Sequence, residues 1–151
     1  MKPEKLILEW MDAIDLEAQA LDLKERQCRF QALDRFEVSI EWPRSTSDLF
    51  VVLDMMSTGI GELRKRRLEK AMQLNVYGLR TRGAVIGWDE LNDRIVLSYR
   101  VLLDGLDIYA LNATITNLLE VGVELEAELE MRHLQPASST QELQSQSALM
   151  P

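Results

Sequence analysis

Between residues 83 and 132 the apolar residues of this chain change period, and that change limits the folds open to it. Residues 83–88 are a short apolar run, and Asp89, Glu90, Asn92 and Asp93 make a polar turn around Leu91. Ile95, Leu97, Tyr99 and Val101 then alternate with positions such as Ser98 and Arg100. Two such runs about a short polar loop predict a β-hairpin. After Asp104-Gly105 the spacing lengthens. Ile108, Leu111, Ile115, Leu118, Leu125 and Leu129 form a helical stripe, with Gly122 in the same series. Nothing in this stretch has the look of catalysis; it reads as a surface for holding something.

The preceding residues supply the other elements. Pro3 suits the first turn of a helix, and Leu6, Ile7, Trp10, Met11 and Ile14 fall on one face, with Lys5, Glu9 and Asp12 off it. That is an amphipathic helix of about three to four turns. Residues 15–25 fit either its extension or a loop with an edge segment. Cys28, Phe30 and Ala32 alternate with Arg29 and Gln31; Phe36, Val38, Ile40 and Trp42 alternate with Glu37, Ser39 and Glu41. Both patterns predict half-buried strands, and residues 49–53 predict a third, completing an antiparallel meander. Thr58 with Glu62 is a loose helix-start signal before a run of helix formers over residues 62–74. The order is α-β-β-β-α-β-β-α, an α+β two-layer domain with a twisted antiparallel sheet over residues 1–133. Residues 134–151, rich in Ser and Gln, have little to bury and read as a flexible tail.

Chemistry is hard to find in this order of elements. The formal net charge is -8, which argues against nucleic acid because phosphate binding needs an excess of Lys and Arg. Cys28 is the sole cysteine and reads as a small buried hydrophobe; His133 is the sole histidine and stands at the tail boundary. Together they cannot make a common zinc site. Glu120, Glu124, Glu126, Glu128 and Glu130 crowd one end of the last helix and read as a solvated face, as does the basic block Arg64, Lys65, Arg66, Arg67. No dinucleotide or P-loop fingerprint occurs, and no window approaches the roughly 18 apolar residues that span a bilayer. The N-terminus, interrupted by acids, lacks the pattern of a signal peptide. The expectation is an acidic, soluble, intracellular interaction module, not an enzyme, with no cofactor and no metal. Trp10, Met11, Met55, Met56, Met72 and Trp88 are mostly core candidates, yet Met and Trp also adapt well to peptide-like partners.

Three stretches carry a resemblance. LDLKERQCRFQALDRFEVSIEW (residues 21–42), LEKAMQLNVYGLRTRGAVIGWDELNDRIVLSYRVLLDGLD (68–107) and LNATITNLLEVGVELEAELE (111–130) resemble, in order and spacing, the class I type III secretion chaperones of the Tir-chaperone family. The likeness covers residues 3–132. It implies a bacterial cytoplasmic homodimer that uses no ATP and no cofactor. Such a protein binds the N-terminal region of a secreted effector, keeps it non-globular and assists its delivery to the secretion apparatus. It implies a dimer seam from Leu68, Ala71, Met72, Leu74, Val85, Ile86 and Trp88. It implies effector contact from Leu6, Trp10, Met11, Phe30, Val38 and Ile40, with an effector strand added to the sheet. The same residues are those a private core would use, and sequence alone does not separate the two. The alternatives are a regulatory binding protein that sequesters a transcription activator or anti-activator, and a small enzyme or ligand-binding domain with an acidic site.

Overall fold

The apolar periods translate into elements in the expected order, with one addition. The structure, a computed structural model, describes residues 2–131; His133, the domain boundary expected beside it and the tail of residues 134–151 lie outside the described residues. Helix α1 (Pro3–Ala13) is followed by β1 (Leu21–Asp22), β2 (Gln27–Ala32), β3 (Phe36–Glu41), β4 (Asp48–Ser57), α2 (Gly61–Leu74), β5 (Val85–Asp89), β6 (Arg94–Leu102) and α3 (Ile108–Glu130). The added element is β1. Residues 15–25 do not extend α1: a single 3₁₀ turn, Ala18–Ala20, leads into this two-residue edge strand. All neighbouring strands run antiparallel, in the order β1-β2-β3-β4-β6-β5.

Period two decides which face of the sheet is dry. Val38 and Ile40 on β3, Leu49, Val51 and Leu53 on β4, and Ile95 and Leu97 on β6 are buried. Glu37, Glu41, Asp54 and Arg94 line a depression on the opposite, polar face. One packed and one wet face is the usual arrangement of an antiparallel sheet with helices on one side. Along α3, Leu111, Ile115, Leu118, Val121, Leu125 and Leu129 are buried as the stripe predicts. Asp107 caps its first turn by accepting the Ala110 N–H at 2.8 Å.

Side-chain hydrogen bonds fasten the helices to the sheet. The indole N–H of Trp10 donates to Asn112 Oδ1 at 3.2 Å, tying α1 to α3. That of Trp42 donates to Glu4 Oε1 at 3.1 Å, tying the strand end to α1. The Arg67 guanidinium donates to the carbonyls of Leu129 (3.0 Å), Glu130 (3.1 Å) and Ser57 (3.1 Å), closing the C-terminal end of α3 against α2 and β4. Burial lowers the pKa of Arg67 and the nearby Glu130 opposes that shift. Thr58 does not cap α2. It is buried, and its hydroxyl donates to the carbonyl of Asp93 at 3.3 Å.

Asn75, just past α2, acts as a substitute strand. Its Nδ2 donates to the Ile86 carbonyl and its Oδ1 accepts the Ile86 N–H, both at 2.8 Å. The outer edge of β5 is therefore closed at Ile86 by one carboxamide.

Two substitutions test these contacts. A Cβ at Gly122 would lie 2.3 Å from Cδ2 of Leu53, which is fully buried and has little room to swing. Overpacking costs about 1–3 kcal/mol against a helix-propensity gain of about 1 kcal/mol. Gly122→Ala should therefore lower the urea-unfolding free energy by about 1 kcal/mol, and the loss should vanish in a Leu53→Ala background. Asn75→Ala leaves both Ile86 groups without a partner. It should cost about 1–3 kcal/mol and speed amide exchange at Ile86, on the outer edge, while the β6-facing amides of β5 stay protected.

Candidate functional site

Among the described residues, the outer edge of β2 and a groove between α2 and β5 are two places that leave binding capacity unused. At the first, hydrogen bonding sets the geometry. The Trp42 N–H donates to the Arg26 carbonyl at 3.1 Å. Arg26 and Trp42 are thus a bonded pair, and alternation makes Cys28, Phe30 and Ala32 bonded partners of β3 as well. The main-chain groups of Gln31 point away from β3. Strand β1 covers only Gln27 and Cys28, so beyond them no strand lies beside β2 among the described residues. Leu23 and Leu33, in the turns at either end of β2, are exposed. Phe30 between them is half-buried, its ring 5.4 Å from that of Trp10. The turn between β2 and β3 is tied to α3 by Arg35, which pairs with Glu126 at 3.0 Å.

The six residues that the sequence offered for effector contact do not share one environment. Leu6, Trp10, Met11, Val38 and Ile40 are in the core of the chain itself; even the large Trp10 is only 2% exposed. The stripe of α1 is covered internally because α1 packs against α3 and the sheet. Phe30 alone reaches the surface. Cys28 is fully buried as well, and burial pushes its thiol up to about 11, so it stays protonated and unreactive near neutrality.

The second place is a groove of about 280 Å³ lined almost wholly by apolar groups. Leu68, Ala71, Met72, Ile86 and Trp88, five of the seven residues offered for a dimer seam, line it. Leu74 turns into the core instead. Val85 is exposed but lies one residue from Ile86, and period two puts it on the other face of β5. Asn75, Gly87 and Ile95 complete the lining; the alternation that carries Ile95 marks it as buried and says nothing of a groove, and Asn75 looks in the sequence like an ordinary helix-end residue. Met72 is 75% and Trp88 44% exposed. The Trp88 ring is fixed by its N–H bond to Asp93 Oδ1 at 3.1 Å and by the Arg64 guanidinium 4.9 Å above it. Bonds from Thr58 and Trp88, then the charge of Arg64, hold the Asp93 carboxyl below its usual range.

The acidic end of α3 is tied to arginines. Glu120 and Glu124 pair with Arg82 at 3.2 and 2.7 Å, and Glu128 with Arg80 at 2.6 Å. Among the described residues no three His, Cys, Asp or Glu side chains form a group that could hold a metal ion, and no helix is long and apolar enough to cross a membrane.

Known proteins share this fold. The fold is similar to the crystal structure of the ExsC-ExsE complex, at 21% identity over 83% of this chain and 91% of that one, with a TM-score of 0.69. It is similar to the HopA1-SchA chaperone-effector complex, at 13% identity over 82% and 92% of the two chains, with a TM-score of 0.67. It is also similar to the Yersinia pestis type III secretion chaperone SycH in complex with a stable fragment of YscM2, at 15% identity over 80% and 97%, with a TM-score of 0.58. No curated protein matches the sequence. The model of the Tir chaperone protein (CesT) family matches residues 5–126. The chain belongs to the Tir chaperone protein (CesT) family.

Proposed function

We propose that this protein is a type III secretion chaperone that holds the N-terminal region of a secreted effector in extended form and assists its delivery to the secretion apparatus. Family membership and the likeness to a chaperone-effector complex support the class of function. The observation that carries the reading on this chain is the open edge of β2, flanked by Leu23, Phe30 and Leu33. An extended segment laid there gains main-chain bonds from Gln31 and apolar contact beside it. Such a segment is held without being folded, which is what a secretion-competent cargo requires.

In this reading the residues proposed for effector contact take two roles, in keeping with their burial. Phe30 meets the segment directly. Leu6, Trp10, Met11, Val38 and Ile40 support the surface from beneath and fix the position of α1 and Phe30. Two copies of the chain associate through the α2–β5 groove, with Met72 and Trp88 at the seam. The working unit is then a bacterial cytoplasmic homodimer with no cofactor and no enzymatic step. Its polar outer face and net charge of -8 keep it soluble.

The test is a proline at the open edge. The Gln31 N–H makes no bond to β3 in this register, so Gln31→Pro removes an outward donor at an edge position where proline is tolerated. Wild-type protein used as bait in its native host should capture one or a few proteins through their N-terminal regions. Gln31→Pro should retain its melting temperature within a few degrees and lose that capture at least tenfold. Undiminished capture by Gln31→Pro, or capture only through folded C-terminal domains, would contradict the strand-addition reading.

A further inference from the structure

On the polar face of the sheet, register sets four side chains on one diagonal. Glu41 of β3 pairs with Phe50, Val52 of β4 with Ser98, Val96 of β6 with Gly87 and Asp89 of β5 with Arg94. Val52 stands two residues past Phe50, Val96 two before Ser98 and Asp89 two past Gly87. Each of the four is thus the diagonal neighbour of the last, one strand over and one row along. Diagonal neighbours lie about 7–8 Å apart, so three steps put the two acids about 21–24 Å apart. All four line a depression of about 460 Å³, and the half-buried Val52 and Val96 are its apolar part.

The charges around that line are unequal. Alternation also puts Glu37, Asp48 and Asp54 on this face, with Arg29, Arg94 and Arg100. Each arginine is already matched: Arg29 to Glu37 at 3.6 Å, Arg94 to Asp54 at 2.8 Å, and Arg100 to Asp48. Five acids against three bases leave Glu41 and Asp89, whose hydrogen-bond partners here are neutral. Glu41 accepts the Ser39 hydroxyl at 3.1 Å. Asp89 accepts the Asn92 N–H at 3.3 Å and the Asn92 side-chain amide at 2.8 Å, and these bonds hold its carboxyl below the usual range. A carboxylate that pairs with no base among the described residues thus stands at each end of an apolar pair.

Two features choose the occupant. A sheet face, unlike a sheet edge, offers no main-chain groups, so whatever docks there must satisfy its own backbone, as a helix does. A span of about 21–24 Å is about 15 residues of helix, or roughly four turns. A segment with Lys or Arg at both ends also supplies the two charges that the face lacks, and a chain of net -8 attracts cationic partners from a distance. We propose that an amphipathic, basic helix of a partner protein docks along this diagonal. Its aliphatic side chains rest on Val52 and Val96, and a Lys or Arg at each end meets Glu41 and Asp89. The docked helix adds a third layer to a two-layer domain. The surface is separate from the β2 edge and does not depend on strand addition there.

The test is titration of the isotope-labelled full chain with a synthetic helical peptide of about 16 residues, built of Ala, Leu and Gln with two lysines at each end. Amide chemical shifts report where it binds and fluorescence anisotropy how tightly. A control peptide has glutamate in place of every lysine. The expected result is saturable binding that shifts the amides around Val52 and Val96, with the control at least tenfold weaker. Glu41→Gln combined with Asp89→Asn should raise the dissociation constant at least fivefold, and Val96→Thr, which keeps the β-branched shape, at least threefold. Gln31→Pro should bind as the wild type does. No saturable binding, equal affinity for the control, shifts centred on Gln31 or Ile86, or a charge variant as tight as wild type would each overturn the inference. A second copy in that place would show in sedimentation as self-association that the charge variant abolishes, and would overturn it too. Thermal melts confirm the fold of each variant; should Val96→Thr fail to fold, the charge variant and the control peptide still decide the matter.

Discussion

The contact on which the rest of the structure depends is that of α3 with the centre of the sheet. At Gly122 the helix comes close enough that the fully buried Leu53 occupies the space a side chain would need. That approach lets one helix cover β4 and β6 together. With α3 in place, α1 has a wall to pack against, and Trp10 reaches Asn112. Arg67 then joins the far end of α3 to α2 and to the end of β4. Among the described residues three α-helices and six strands become one body through a few polar bonds, most of them partly buried, around an apolar core.

The sheet so formed has two edges of opposite character. At β5 the main-chain groups of Ile86 are answered from within by the Asn75 carboxamide. At β2 a two-residue strand covers one end and leaves the other bare. An unprotected edge is ordinarily a hazard, because it templates pairing with any extended chain. Here it stands beside exposed leucines and a half-buried phenylalanine, which is what a segment-binding surface needs. Next to β5, Met72 and Trp88 stand exposed along the α2–β5 groove instead.

Period was enough to read most elements from the sequence. The alternation from Phe36 to Trp42 and the stripe from Ile108 to Leu129 each have one solution, and the structure adopts it. The two-residue β1 had no readable pattern because two residues have no period. Function was harder to read for the same reason that the fold was easy. Periodicity marks residues that leave water and is silent on whether they meet their own chain or another; Leu6, Trp10 and Met11 carry the same signal as a partner-facing stripe and are core. In β5 the neighbours Val85 and Ile86 look equivalent, yet they belong to opposite faces. Asn75 could be found only once both Ile86 groups were seen to end on its carboxamide. Family resemblance filled part of that gap, because it rests on the order of elements and not on the environment of any one side chain.

The most direct test of a chaperone that binds by adding a strand is amide hydrogen exchange of the full chain, free and with the partner recovered from its native host. The account predicts that the Gln31 amide slows by at least a hundredfold in the complex while that of Ile86, already held by Asn75, changes little. Unchanged exchange at Gln31 in a stable complex, with new protection along β5 instead, would contradict it.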